Sequence, residues 1–191
     1  MQLFKQLADK VDRECFNRNP IRIYETMTQT DEIAYCPFAY GYSNYSRRGY
    51  ARKLLHFHDL VTLDGKTNMR STLGGTGLAV SSKSKNIDVA MKYAEYLASP
   101  TCQSSVFVDN GGQPGHLKAW QDEEANRITQ NYFLNTLPAL KRAFLRPRYN
   151  GSMFFQDHAG DIVRIYLLHG GNEQEVLQQL NQLYIQSRGL K

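Results

Sequence analysis

The sequence predicts a helix-rich α/β fold, and residues 72–99 carry most of that prediction. Three glycines come first, at positions 74, 75 and 77, where the backbone can bend sharply or be approached closely. The apolar run 78–80 then has the length of a buried strand. Ser84 or Asn86 offers an N-cap for the amphipathic helix that follows, and Ser99-Pro100 ends it. A glycine turn, a strand and a helix packed back on it are typical of an α/β sheet.

The N-terminal third mixes helices with two candidate strands. Residues 2–15 place apolar side chains on one helical face, and Asn19-Pro20 opens a second short helix with its proline at a tolerated position. The apolar run 33–38 and the stretch 54–61 have strand-like patterns. Asp64-Gly65 marks a turn after the second of them.

The C-terminal half is predicted to be helical. A short helix over 102–108 is closed by the glycines of 110–112, and 118–145 is mostly helical in pattern. A longer helix covers about 154–168. The last helix has Asn172 as its N-cap with Glu175 three residues on, which is a capping-box pattern.

Composition places the chain among ordinary globular proteins. Its 191 residues suit one domain or one and a half, and 41% hydrophobic with 21% charged residues excludes a disordered chain. No apolar run approaches the roughly 20 residues of a membrane span. A net charge of +5 permits an anionic partner without requiring one. The three cysteines (15, 36 and 102) do not have the spacing of a metal site. We expect buried thiols that behave as small hydrophobic side chains, and the alternative of one disulfide between two of them stays open.

The loop between Tyr35 and Tyr50 is the most unusual composition in the chain, because it holds five of the twelve tyrosines among small polar residues. Tyrosine rings stack on the C–H faces of sugars, while Ser43, Asn44 and backbone groups can satisfy hydroxyls. A few aromatics with convergent polar groups predict a site for a small polar ligand. Core or lid packing explains any single tyrosine at least as well.

No motif indicates an enzyme, a cofactor or a metal. The glycines of 74–77 precede the apolar run, whereas nucleotide-binding glycines lie between a strand and a helix, so nucleotide binding is disfavoured. His56 and His58 would share one strand face, and Asp157, His158 and Asp161 lie close along a helix. Half-exposed histidines and a solvated charged face explain both groups. We therefore expect no catalysis, no cofactor and no bound metal.

A rival interpretation comes from residues 45–53, which interleave aromatic and cationic side chains in a pattern that suits single-stranded nucleic acid. The basic and aromatic loop 146–149 adds to it. Solvated surface charge is an equally simple explanation of both segments. A basic, aromatic nucleic-acid-binding domain is thus the alternative to a small-solute site.

Four segments of the chain point to one known family. The central one is GGTGLAVSSKSKNIDVAMKYAEYLASPTCQ at 74–103, with NGGQPGH at 110–116 after it. The others are RPRYNGSMFFQDHAGDIV at 146–163 and DEIAYCPFAYGYSNYSR at 31–47. Together they cover nearly the whole chain and resemble the extracellular solute-binding proteins of ABC importers, in the sugar-type group.

The resemblance implies the two-lobed, type II periplasmic-binding-protein-like α/β fold, present only as its C-terminal part. Residues 1–70 would be part of the second lobe with the aromatic ligand-facing loop. Residues 71–117 would be the hinge strand and helices belonging to the first lobe, and 118–191 the C-terminal helical part of the second lobe. The family's N-terminal signal and most of its first lobe have no counterpart in this sequence.

The resemblance also implies a function without chemistry on the solute. The chain would capture a carbohydrate or similar small polar solute and deliver it to ABC permease subunits in the membrane, with no nucleic acid as partner. It would be periplasmic or extracellular, and membrane-associated in a full-length form. We expect Tyr40, Tyr42 and Tyr45 to contact the solute with their rings or hydroxyls, and Asn44 to form a hydrogen bond with it. Gly74 and Gly75 would allow close approach of the backbone at the hinge. Arg148 and Tyr149, in the basic and aromatic loop, are further candidates for ligand contact.

Overall fold

A computed structural model describes residues 1–189, and it overturns the predicted fold class. The chain is 54% helical and 2% strand, and its described residues contain no sheet. The prediction of an α/β, two-lobed, type II fold was therefore wrong. Only the expectation that the chain is rich in helices agrees with the structure.

The predicted strands do not form, because no second segment pairs with them in a regular ladder of backbone hydrogen bonds. The runs 33–38, 54–61 and 78–80 all lie outside regular strands. Within residues 1–189, strand-type pairing is confined to two isolated bridges, Thr62 with Asn68 and Thr72 with Phe144. An apolar run becomes a strand only when a second segment takes up its backbone N–H and C=O groups in register. The sequence pattern shows that a run is apolar, but it does not show whether a second segment lies beside it in register.

Ten α-helices and two 3₁₀ turns are formed by the described residues. The 3₁₀ turns span Arg13–Asn17 and Ser43–Ser46. The helices are α1 Gln2–Ala8, α2 Pro20–Gln29, α3 Ile87–Ala98, α4 Pro100–Ser104, α5 Val106–Asp109, α6 Leu117–Gln121, α7 Glu123–Ile128, α8 Tyr132–Arg142, α9 Ser152–His169 and α10 Glu173–Arg188.

Most predicted helices are confirmed, with local corrections. Helix α3 begins after Asn86 and ends at Ser99, as the caps predicted. The N-terminal helix is shorter than 2–15, because a 3₁₀ turn replaces its second half. Pro138 lies inside α8 and does not break it. At the start of α10, the Asn172 side chain accepts a hydrogen bond from the Gln174 N–H.

The chain divides into two compact units, one made of residues 1–19 with 146 onward and the other of residues 20–145. In the first unit, α9 and α10 form a helical hairpin whose connection contains Gly170 and Gly171, both at positive φ. The Tyr166 hydroxyl donates to Glu173 Oε1 at 2.8 Å across that connection. Arg164 of α9 donates to the Asn17 side chain at 3.0 Å, which fixes the first 3₁₀ turn.

The second unit contains two apolar clusters that share Phe57. One comprises Tyr24, Tyr45 and Leu55, with Phe57 against it. Phe57 also packs on the larger cluster, where its ring lies 5.0 Å from that of Tyr132. Since the larger cluster is built mainly from α6, α7 and α8, Phe57 joins the tyrosine-rich loop to those helices. The larger cluster consists of Val108, Trp120, Ala125, Tyr132, Phe133 and Leu137.

Two buried polar side chains fix the turns around this core. The Trp120 indole N–H donates to the Pro114 carbonyl at 2.7 Å. Asn126 donates to the Trp120 carbonyl at 2.9 Å and accepts from the Leu134 N–H at 2.9 Å. Buried polar groups are stabilising only when they are paired in this way. They hold the 113–115 turn and the start of α8 in place.

Helix α3 has no buried residue, although its sequence is amphipathic. Val89 and Tyr93 are each more than 60% exposed. The expected packing of this helix on the 78–80 segment is therefore wrong, because that segment is not part of a sheet. No helix within residues 1–189 is both long and apolar enough to cross a membrane.

Candidate solute-binding site

The tyrosine-rich loop is anchored by the 3₁₀ turn Ser43–Ser46. Ser43, Tyr45 and Ser46 are buried in it. Ser46 Oγ donates to the Leu55 carbonyl at 2.7 Å, and the Leu55 N–H donates to the Tyr45 carbonyl at 2.9 Å. These two bonds tie the loop to the segment that carries Phe57, so the loop is a fixed part of the second unit.

Tyr24 of α2 organises the aromatic side chains of the loop. Its hydroxyl donates to the Tyr40 carbonyl at 2.8 Å, and its ring lies 5.2 Å from Tyr45 and 6.2 Å from Tyr42. Burial raises the pKa of Tyr24 well above its ordinary value, and the neighbouring Cys36 and phenol groups add to the effect. Tyr24 therefore stays a neutral hydrogen-bond donor at physiological pH.

The three predicted tyrosines divide into two kinds. Tyr45 is 5% exposed and belongs to the core, whereas Tyr40 and Tyr42 are 44% and 40% exposed. A half-exposed ring that is fixed through its own backbone can present an apolar face to a ligand. Tyr40 and Tyr42 have that character, and Tyr45 supports them.

Gly74 lies against the ring of Tyr40. A Cβ added to Gly74 would be 3.2 Å from Tyr40 Cε1, closer than an ordinary contact, whereas one added to Gly75 would meet open space. The approach is fixed just upstream, because the Leu73 N–H donates to the Phe144 carbonyl at 2.9 Å. Two predicted site residues that lie far apart in the sequence, Tyr40 and Gly74, are thus brought together.

The loop also lies beside the turn that follows α5, and we call the two facing segments, residues 43–47 and 109–113, the polar seam. The Ser43 N–H donates to Gln113 Oε1 at 3.1 Å. A Cβ on Gly111 would lie 3.2 Å from Asn44 Oδ1, and Gly111 has a positive φ of 86°. Further along, Asp109 interacts electrostatically with Arg47. The two segments therefore run side by side.

The polar seam contains buried polar atoms without partners. Within residues 1–189, Ser43 Oγ, Asn44 Oδ1 and two nitrogens of Arg47 are shielded and make no hydrogen bond. Ser43 itself is only 2% exposed. Almost all buried polar groups in folded proteins are paired, so these atoms call for a partner such as an ordered water, an ion or another molecule, and a solute reaches them only when the seam opens.

Arg148 and Tyr149 lie in the other unit, apart from this cluster in the division of the chain. The Tyr149 hydroxyl is 2.8 Å from Ser187 Oγ, and the Arg188 guanidinium lies 4.7 Å from the centre of its ring. These contacts are internal to the first unit and hold α10. Arg148 is exposed.

The residues of the nucleic-acid interpretation have structural partners. Arg52 donates to the Gln29 carbonyl at 3.4 Å, and Lys53 donates to the Thr30 carbonyl at 3.1 Å and pairs with Asp31. These cations satisfy carbonyls at the C-terminus of α2, where the helix dipole favours positive charge. Tyr45 is buried, whereas Tyr50 is 54% exposed and lies between the exposed Arg48 and Arg52, so part of the aromatic and cationic pattern remains on the surface.

The histidines and acidic residues considered for metal binding do not converge. His56 and His58 are exposed, and His158 stacks on Phe154 while its Nδ1 lies 2.8 Å from the Phe154 carbonyl. Among the described residues, no three His, Cys, Asp or Glu side chains are grouped to hold a metal ion.

Two surface cavities lie away from the tyrosine-rich loop. One of about 110 Å³ is lined by residues of α1, the first 3₁₀ turn and α9, within the first unit. The other, of about 340 Å³, borders the start of α3. Neither contains a residue of the predicted site.

Several residues that shape this site were not predicted from the sequence. Gln113 accepts from Ser43 and is hydrogen-bonded to the Tyr132 hydroxyl, and Gly41 is pressed against that hydroxyl. The only signal was the segment NGGQPGH, which was noted for the resemblance and not for a contact with the tyrosine-rich loop.

The chain matches no protein-family model, no curated protein and no solved structure.

Proposed function

We propose that the second unit binds a small polar solute, a carbohydrate or a molecule of similar chemistry, at the cluster of Tyr40, Tyr42, Gly74 and the polar seam. Binding involves no bond-making or bond-breaking step. The described residues offer stacking surfaces and hydrogen-bonding groups, which is what recognition of a polyhydroxylated molecule requires.

One observation carries the proposal: two half-exposed rings lie on the same loop as buried polar atoms that lack partners. Tyr24 holds the backbone of Tyr40 through its carbonyl and packs edge-on against the Tyr42 ring, so the loop that carries both rings is already ordered before a ligand covers them. Ser43 Oγ and Asn44 Oδ1 are the unpaired atoms next to them in the chain. A ligand with several hydroxyls supplies the missing partners.

We infer the physiological role from the resemblance to solute-binding proteins of ABC importers. The chain acts on the periplasmic or extracellular side of a membrane and delivers its solute to the permease subunits. The resemblance supports this role through sequence alone, since the structure contradicts the two-lobed fold that the resemblance also implied. The role depends on solute binding, which can be measured directly.

Calorimetric titration of the purified chain with a panel of mono- and disaccharides tests the proposal. We expect saturable binding of at least one sugar, and we expect Tyr40→Ala and Tyr42→Ala each to weaken it by about tenfold or more, since both remove a contact ring. Tyr93→Ala is the matched control, because Tyr93 is an exposed tyrosine on α3.

The control separates loss of a contact from loss of fold. Circular dichroism and thermal unfolding should be the same for the three variants and the parent chain. If no sugar in the panel binds to the folded chain, the proposal is wrong. Equal weakening by all three substitutions would also contradict it, because binding would then not depend on this loop.

A further inference from the structure

Arg47 is the least satisfied charged residue in the polar seam. Its Nε and Nη2 atoms are shielded from solvent and have no hydrogen-bond partner within residues 1–189. Asp109 attracts the guanidinium, but the two side chains are not among the ion pairs of the described residues, all of which lie within 4.0 Å. Burial lowers the pKa of Arg47, and Asp109 offsets this only in part.

The two unpaired nitrogens form one edge of the guanidinium group. Their N–H bonds point in parallel, so a carboxylate or a phosphate can accept both at once. A neutral hydroxyl can satisfy only one of them. Leaving a buried charge unpaired is costly, which makes an acidic group the ligand that this edge favours most.

The rest of the seam favours hydroxyl groups beside that acid. Asn44 Oδ1 is an acceptor without a donor, and Ser43 Oγ can donate or accept. Both belong to the turn that ends at Arg47, so the unpaired groups follow one another along the chain. The combination is one anion-binding edge next to two groups that bind hydroxyls.

We propose that the polar seam recognises a polyhydroxylated solute that carries one acidic group, a carboxylate or a phosphate, with Arg47 binding the acid and Ser43 and Asn44 binding hydroxyls. This inference rests on the proposed solute-binding function and narrows its ligand class. Arg47 is half-buried, but its Nε and Nη2 atoms are shielded, so a ligand reaches them only when the side chains of the seam move apart. The acid then supplies the close partner that the exposed Asp109 does not provide.

Competing titrations with glucose, glucuronate, glucose 6-phosphate and inorganic phosphate test the ligand class. We expect glucuronate or glucose 6-phosphate to bind at least about tenfold more tightly than glucose. A preference for glucuronate identifies a carboxylate site, and one for glucose 6-phosphate a phosphate site. Inorganic phosphate should bind far more weakly than either, because it lacks the hydroxyls that Ser43 and Asn44 bind.

Arg47→Gln and Arg48→Gln form a matched pair, since they remove one positive charge each at adjacent positions and Arg48 is exposed. We expect Arg47→Gln to abolish the preference for the acidic sugar over glucose. Arg48→Gln should keep the preference. Arg47→Lys retains the charge without the two-pronged edge, and we expect it to lose most of the preference.

The outcomes separate the two proposals. If glucose binds as tightly as both acidic sugars, the acidic-group inference is overturned and solute binding stands. If none of the sugars binds, both are overturned. Equal loss of preference in Arg47→Gln and Arg48→Gln would show a general charge effect and overturn the role of Arg47. A circular dichroism spectrum and a thermal unfolding curve that match the parent chain show that Arg47→Gln is folded.

Discussion

The backbone of Gly41 is pressed against the hydroxyl of Tyr132. A Cβ at position 41 would overlap the Tyr132 hydroxyl oxygen and lie 3.1 Å from its Cζ. Tyr132 is 2% exposed and part of the core of the second unit, so it has no free space to move into. This contact joins the tyrosine-rich loop to α8, and it allows only glycine at position 41.

Gly41→Ala should lower the free energy of unfolding by about 1–3 kcal/mol, the range for overfilling a packed site. The added methyl group must displace either the Tyr132 ring or the loop that carries Tyr40 and Tyr42. Urea unfolding followed by circular dichroism measures the change. Solute binding should weaken together with stability, because the loop itself shifts.

Tyr132→Phe provides the test of cause in the Gly41→Ala background. Removing the hydroxyl removes the worst overlap, so the double variant should recover part of the lost stability. The ring carbons of residue 132 remain close, and we therefore expect recovery to be incomplete. Strictly additive effects of the two substitutions would contradict a direct contact.

The Asp59–Arg142 pair should make the second unit less stable in acid. Arg142 Nη2 lies 2.6 Å from Asp59 Oδ1. Burial alone would raise the pKa of Asp59, but the hydrogen bonds from Arg142, the Leu60 N–H and Asn68 outweigh it and hold the pKa below 3.8. A lowered pKa in the folded state means stability that is present above pH 3.8 and lost as the pH falls through the folded-state value.

Asp59→Asn measures that contribution. With both side chains about a quarter to a third exposed, we expect a loss of about 1 kcal/mol at pH 7. The difference from the parent chain should shrink as the pH is lowered below 3.8. Glu95→Gln, on the exposed surface of α3, is the charge-matched control. A difference that is independent of pH would show that the charge of Asp59 is not responsible.

Helices were predictable from this sequence because their determinants are local. The side chains of Ser99 and Asn172 accept hydrogen bonds from backbone N–H groups close to them in the chain, and a helix begins directly after each of them. Helix α3 begins directly after Asn86, although the Asn86 side chain makes no capping bond. Strands depend on a partner that the pattern does not specify. Residues 78–80 have a strand-like composition, but within residues 1–189 no second segment pairs with their backbone.

The site was predictable only where it is contiguous in sequence. The run from Tyr40 to Tyr45 could be recognised by composition, and Gly74 was named separately as a hinge residue; the contact between Tyr40 and Gly74 was not predicted. The contact with Gln113 spans 70 residues, and no local pattern encodes it. The burial of Tyr45 against Tyr24 was equally hidden, since an aromatic ring has the same composition in a core and in a binding site.

Lys53→Met tests the structural role of the basic segment against the nucleic-acid interpretation. Lys53 donates to the Thr30 carbonyl at the end of α2 and pairs with Asp31. We expect its loss to lower the free energy of unfolding by about 0.5–1 kcal/mol, the usual contribution of a cation at a helix C-terminus. Arg48→Met, which changes an exposed cation of the same segment, should have little effect on the free energy of unfolding.

Binding of a labelled single-stranded oligonucleotide, measured by anisotropy at two salt concentrations, completes that test. We expect weak binding that is the same for the parent chain, Lys53→Met and Arg48→Met. Tight binding that falls steeply with salt and is lost in Lys53→Met would favour the nucleic-acid interpretation.

Cys15 and Cys36 should react slowly with a thiol reagent, and Cys102 should be protected from it in the folded protein. All three are free, Cys102 is 1% exposed, and Cys15 and Cys36 are half-buried. Burial raises the pKa of both half-buried thiols above 9.0; nearby Asp12 adds to the effect at Cys15. Because the thiolate is the reactive form, both should react slowly with a disulfide reagent at pH 8 and faster as the pH rises.

Cys102 should react only when the second unit unfolds, so its rate reports opening of that unit. We expect two thiols to be titrated in the native protein and the third to appear after addition of denaturant. In Cys102→Ala the late thiol should be missing while the two slow ones are unchanged. Fewer than three thiols in denaturant without reductant would mean that a disulfide forms. A third thiol that reacts as fast as the others in the native protein would mean that Cys102 is not enclosed by its neighbours.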